Sequence, residues 1–162
     1  MHGKNFREFV VGIFILLCFS TADYPQTYKI HTDRDSIAVR KTAEDFLNAF
    51  RNLEWMKFIA FFADDATAFF PPSAHYPKRA TGKAEIEKIF KNVFVNARGQ
   101  KTTPPYLAID PLDLQIQMLK DASIVSFHLD DPGMFGRRTV VFEKRKGKWL
   151  IVHLHASGIA AP

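Results

Sequence analysis

Apolar residues recur at helical spacing along the first half of the chain and at every second position along the rest. Val39, Ala43, Phe46, Leu47 and Phe50 fall at i, i+4, i+7, i+8 and i+11. That spacing predicts an amphipathic helix of about five turns, opened by Thr32, Asp33 and Asp35 as helix-start residues. Asn52 breaks it, and Trp55, Phe58, Ile59 and Phe62 repeat the pattern on a second, shorter helix. Ala66 to Phe70 reads as a short strand running into Pro71-Pro72, and Ser73 to Thr81 as a loop with room for a small strand. A third helix starts at Thr81-Gly82, buries Ile86, Ile89, Phe90 and Val93, and stops at Arg98-Gly99.

From Tyr106 the period changes to two. Leu112, Leu114, Ile116 and Met118 alternate with Asp113, Gln115 and Gln117, which places the four apolar residues on one face of a strand. Lys120-Asp121 is a hairpin signal before the strand Ser123 to Leu129, and Asp130-Asp131-Pro132-Gly133 is a turn. Arg138 to Lys144 and Trp149 to Ser157 are two more strands, joined through Lys146-Gly147. On the last strand, strict alternation puts Trp149 and Ile151 on the face of His153 and His155. Leu150, Val152, Leu154 and Ala156 then form the opposite, purely apolar face. The reading is an α+β domain: three N-terminal helices packed on a strongly curved, mostly antiparallel sheet that encloses a conical cavity.

Composition agrees with one globular domain. The 162 residues are 47% hydrophobic, 24% charged and 14% aromatic, too apolar for a disordered chain, and sixteen phenylalanines supply a core or an aromatic-lined hollow. The formal charge of +5 would suit nucleic acid, but Lys and Arg are dispersed and no groove-reading motif occurs, so no nucleic-acid partner is expected. At the N-terminus, Lys4 and Arg7 precede an apolar run from Phe9 to Phe19, and Ser20-Thr21-Ala22 offers small residues for cleavage. The run is about half of the ~20 residues a membrane-spanning helix takes, which favours a signal peptide at 1–22 over a retained anchor. Residues 23–31 follow as an extended arm, and 32–162 form the domain. Cys18 is the single cysteine, so cleavage leaves a secreted or periplasmic chain with neither disulfides nor thiol chemistry.

The most specific stretch is Gly147-Lys148-Trp149-Leu150-Ile151-Val152-His153-Leu154-His155-Ala156-Ser157-Gly158. Its Gly-Lys-Trp opening and His-x-His-x-Ser-Gly ending resemble the final strand of the calcium/calmodulin-dependent protein kinase II association (hub) domain. Ala63-Asp64-Asp65-Ala66, Thr81-Gly82 and Ile109-Asp110-Pro111 are weaker echoes. Over roughly Ser36 to Gly158 the chain resembles the nuclear transport factor 2-like superfamily, in its SnoaL-like and hub branches. The resemblance implies a cystatin-like roll. The superfamily holds isomerases, cyclases, dehydratases, binding proteins and assembly modules on one scaffold, so it fixes no activity. The hub's carboxylate-holding arginines are not matched: the corresponding positions read Asp130, Val140 and Ala156, with Arg137 and Arg138 out of register.

Three constellations bear on chemistry. His153 and His155 share a strand face, with His128 on a nearby strand, but no third ligand is fixed by spacing, so neither metal nor other cofactor is expected. For acid–base work the weak candidates are Asp64, His128 and His153. Asp64, Asp65, Asp130 and Asp131 stand at turn and cap positions that aspartate favours for structural reasons. For a cavity mouth the candidates are Trp55, Phe69, His75, Tyr76 and Arg138, around a small apolar or aromatic molecule. Trp149 and Ile151, exposed beside the histidines, would mark a homodimer contact through the sheet. The function expected is small-molecule binding. The alternatives are an isomerase- or dehydratase-type enzyme on an apolar substrate and a ligand-free oligomerisation module.

Overall fold

The structure is a computed structural model, and it describes residues 33–71, 76, 78–131 and 134–160. The expected signal peptide at 1–22, the expected arm at 23–31 and His75 lie outside the described residues. Helix α1 spans Asp33–Arg51 and buries Val39, Ala43, Phe46 and Leu47, the face its spacing predicts. The chain reverses at Leu53, whose φ is 52°, while Glu54 N–H donates to the Ala49 carbonyl at 2.9 Å. Helix α2 is the short Trp55–Ala60.

Strand β1, Phe62–Phe69, begins four residues before the expected Ala66. The cause is tertiary: Phe62 pairs with Ile151, and Ile151 N–H donates to the Phe61 carbonyl at 2.8 Å, which draws the end of the predicted second helix into the sheet. Strand β2, Ala80–Thr81, is the small strand anticipated in the loop. Helix α3, Lys83–Gln100, runs through Gly99 and ends where Lys101 turns extended at φ −143°. Glu85 accepts the Thr81 N–H at 2.7 Å and supports its first turn.

Strands β3 (Pro111–Met118), β4 (Ala122–Asp131), β5 (Met134–Arg145) and β6 (Lys148–Ala160) form the meander. The sheet order is β2-β1-β6-β5-β4-β3, antiparallel throughout except for the β1–β6 pair. Lys146 and Gly147, at φ 50° and 80°, make the tight β5–β6 turn, a conformation glycine adopts without steric cost. The three helices and the curved six-stranded sheet give the α+β roll that the pattern predicts.

Two bulges correct the face assignments. In β6, Phe142 pairs with Ile151 but Val141 pairs with His153, so Val152 is an extra residue and the alternation changes phase. Trp149 (6% exposed) and Ile151 (0%) therefore enter the core together with Leu154 and Ala156, while His153 and His155 face outward. The exposed Trp149–Ile151 patch expected at a dimer contact does not exist. In β3 the register shifts around Asp113, at φ 50°: Leu114, Ile116 and Met118 pack on the core, but Leu112 pairs with the outward His128 and is 47% exposed.

Phenylalanines join the helices to one another. The fully buried Phe58 has ring centroids of Phe90 at 4.7 Å, Phe50 and Phe94 at 5.1 Å, Phe46 at 5.2 Å and Phe62 at 5.5 Å. This solid aromatic block fills one end of the space between helices and sheet. The other end stays open.

Candidate functional site

That open end is a cavity of about 390 Å³. Helix α1 supplies Phe46, Leu47 and Phe50, and α3 supplies Phe90, Val93 and Ala97. The sheet closes it with Phe127 and Leu129 of β4 and Leu154 and Ala156 of β6. Asn96, Gln100, Asp130 and Arg138 add polar groups to these apolar walls. The volume is in the range that takes small organic ligands.

The rim is held by a clamp. Tyr106 and Leu107 N–H groups donate to the Arg51 carbonyl at 3.0 and 3.2 Å. The Arg51 guanidinium donates to the Ile109 carbonyl at 2.6 Å and to the Asp110 carboxylate. The last residue of α1 thus fixes the 106–110 connection, from which Leu107, Ala108 and Ile109 line the cavity. The partners are 58 and 59 residues apart, and no local pattern announces them.

Arg138 is the mouth candidate that the structure puts on the wall. It lies between Phe127 of β4 and Ala156 of β6, and its Nη1 donates to the Ser157 carbonyl and to its neighbour's carbonyl at Arg137, both at 2.9 Å. The guanidinium lies over Gly136, so close that a Cβ there would stand 2.9 Å from Nη1. Of the positions read against the hub arginines, Asp130 and Ala156 line the cavity beside Arg138, and Val140 is buried next to them. Strand register thus brings an arginine into the hollow where residue-by-residue matching had placed it out of line.

The other candidates are dispersed. Trp55 packs edge-on against Phe94 at 5.3 Å, with Lys91 over its ring, and does not line the cavity. Phe69 stands on the outer face of β1, 41% exposed, because Ala66 and Ala68 take the inner positions. Tyr76 stacks edge-on against the cavity residue Phe70 at 6.2 Å and donates its hydroxyl to Glu85. That bond raises the Tyr76 pKa, while the Thr81 N–H and then Tyr76 hold the Glu85 carboxyl below its ordinary value.

The acid–base candidates also lie off the cavity. Asp64 borders a separate hollow near Asp65, Lys83 and Arg145. There the Arg145 guanidinium grips Asp65 at 2.5 and 3.1 Å and lowers its pKa. His128, on the outer face, stacks on Phe135 at 4.6 Å. His153 Nδ1 is 2.8 Å from Thr67 Oγ1; burial, then the nearby His155 and Arg79, push its pKa down. Among the described residues no group of three or more His, Cys, Asp or Glu gathers to hold a metal.

Comparison with known proteins follows the same lines. In structure the chain is similar to an NTF2-like protein of unknown function from Pseudomonas putida, with 23% identity, a TM-score of 0.64, and coverage of 78% of this chain and 87% of that one. It is similar to a proposed dehydratase of the NTF2-like family from Streptomyces avermitilis, at 16% identity and a TM-score of 0.64, covering 81% and 100% of the two chains. The association domain of C. elegans CaMKII is similar at 16% identity and a TM-score of 0.55, covering 77% and 96%. At these identities the likeness is one of fold. No curated protein matches the chain in sequence. The family model for the SnoaL-like domain matches residues 39–162, and the chain belongs to that family.

Proposed function

We propose that this chain is an exported binding domain that takes a small, largely apolar or aromatic molecule in its cavity and pairs with a second copy through the outer face of its sheet. The observation that carries the reading is the open cavity of about 390 Å³, walled by Phe, Leu, Val and Ala and bearing Arg138. The apolar body of a ligand is driven in by desolvation, and an acceptor or anionic end is oriented by the guanidinium, with Asn96 and Gln100 as further polar contacts.

An acid–base enzyme would call for a sheltered carboxylate or imidazole facing the substrate. The carboxylate on this lining is the exposed Asp130, and Asp64, His128 and His153 lie elsewhere. A ligand-free assembly module would call for a filled interior. Binding fits better than either. Native mass spectrometry of the protein purified from its source cell tests it: a small molecule retained at one per chain supports the reading. Ligand-free chains that also fail to bind a neutral naphthylamine dye overturn it.

Pairing through the sheet rests on the outer face itself rather than on Trp149 and Ile151. Phe69, Leu112 and Ile159 are 41–47% exposed there, beside the half-buried Ile124, Val141 and Val152. Five strands about 4.8 Å apart, over five rows of outward residues, make a patch on the order of 800 Å². A stable dimer buries about that area per partner. Export rests on Lys4, Arg7 and the apolar run ahead of Ala22, and a secreted or periplasmic location follows from it. Intact-mass measurement of the mature protein tests cleavage, with Asp23 expected first; a chain that still starts at Met1 contradicts it.

A further inference from the structure

We infer that pairing through the outer sheet face is proton-linked: His128, His153 and His155 stand together on that face, so the pair forms near neutral pH and separates on acidification. The inference rests on the sheet-to-sheet pairing proposed above and adds its regulation.

Strand register puts the three imidazoles in neighbouring rows. One row runs Thr67, His153, Val141, Ile124; the next runs Phe69, His155, Thr139, Ser126; the third runs Ser157, Arg137, His128, Leu112. The Phe69 ring lies 6.0 Å from His153 and 5.9 Å from His155, and His128 stacks on Phe135. The histidines are therefore part of the same surface as the exposed apolar residues, and whatever buries Phe69 and Leu112 buries them too.

The charged groups around them come from three segments. Arg137 of β5 pairs across from His128, and Arg79, just before β2, acts on His153. Arg145 and Glu143 of β5 and Asp65 of β1 are bonded to one another farther along the face. Among the described residues no carboxylate is bonded to any of the three histidines. For His153, burial, then the nearby His155 and Arg79, disfavours the protonated form.

A two-fold contact sets this face against its own copy. Dehydrating the imidazoles in that contact disfavours their charged forms, so association releases protons. By linkage the dimer dissociation constant rises as pH falls through the histidine range, up to tenfold per pH unit for each proton released.

Sedimentation velocity of the mature protein purified from its source cell at about pH 8 and about pH 5.5, at one ionic strength and with circular dichroism on the same samples, tests this. The expected result is a dimer at the higher pH whose dissociation constant rises at least tenfold at the lower pH with the spectrum unchanged. His128→Gln, His153→Gln and His155→Gln together are expected to flatten that dependence. His155→Gln alone, at the exposed position of the three, reduces it if the triple variant fails to fold. A dimer equally tight at both pH values overturns the linkage and leaves the pairing standing. A monomer at both overturns the pairing itself. Acid weakening unaltered in the variants, or a spectrum lost in step with dissociation, overturns the assignment to these histidines.

Discussion

Gly136→Ala perturbs the cavity's arginine without touching its apolar walls. The added Cβ would stand 2.9 Å from Nη1, 3.2 Å from Nη2 and 3.3 Å from Cζ of Arg138. Ordinary contact begins near 3.4 Å, so the guanidinium must retreat by about 0.5 Å or more. It is the far end of a flexible side chain and gives way, while the strand backbone at 136, not in the left-handed region, accepts alanine. The retreat spoils the 2.9 Å bond to the Ser157 carbonyl and the aim of the group into the cavity. A hydrogen bond to a charged group is worth about 1.5–3 kcal/mol, which corresponds to roughly 10–100-fold in affinity for a ligand that Arg138 orients. Stability falls by no more than about 2 kcal/mol, because alanine also narrows the unfolded ensemble and offsets part of the lost Ser157 bond. Two fluorescent probes read the difference: anilinonaphthalenesulfonate, with an anion on an apolar body, and neutral phenylnaphthylamine. The sulfonate is expected to weaken about tenfold or more and the neutral probe less than about threefold. Equal losses, or none, refute the role given to the guanidinium.

Phe58→Ala removes the ring at the centre of the aromatic block and is expected to cost about 3–5 kcal/mol in urea unfolding. A cost below about 1 kcal/mol would mean that the block is not close-packed. Ser123 is 0% exposed, and no protein group among the described residues bonds to its Oγ, so Ser123→Ala is expected to be neutral or stabilising by up to about 1 kcal/mol. A loss comparable to Phe58→Ala would contradict that. Asp65 and Glu85 both have lowered pKa values in the fold, so their contribution is present above the unfolded carboxylate range and lost as pH falls through their folded values. Unfolding at stepped pH is expected to show an acid limb below about pH 4.5 that Asp65→Asn with Glu85→Gln makes shallower. An unaltered limb would assign it to other groups.

Much of the fold is legible because its signals are local. The period of α1 and α3 runs over several turns, and the meander strands are separated by turn residues such as Lys146-Gly147. What escapes the sequence arises from contacts across the chain. Phe62 continues a helical apolar pattern, yet pairing with Ile151 makes it strand. The bulge at Val152 reverses the faces of β6 halfway along, because strict alternation holds no signal for one inserted residue. Phe69 is expected at the cavity mouth, yet it points out while Ala66 and Ala68, each 0% exposed, take the side on which α3 packs. Of the site, the apolar pair Leu154 and Ala156 and the cation Arg138 were legible on the strands that carry them. Asn96, Gln100 and the Arg51 clamp were not, since each depends on where a helix end meets a distant connection.

Ala156→Phe tests the account's central claim most directly. Ala156 is 7% exposed, lines the cavity and pairs across β5 with Arg138, so a phenylalanine there puts its ring into the space assigned to the ligand. In titrations with neutral phenylnaphthylamine, the unaltered protein is expected to show one saturable site per chain, and the folded Ala156→Phe protein none. No saturable binding by the unaltered protein, or binding undiminished in a variant with the same circular dichroism spectrum, would contradict the cavity as the place where this domain holds its ligand.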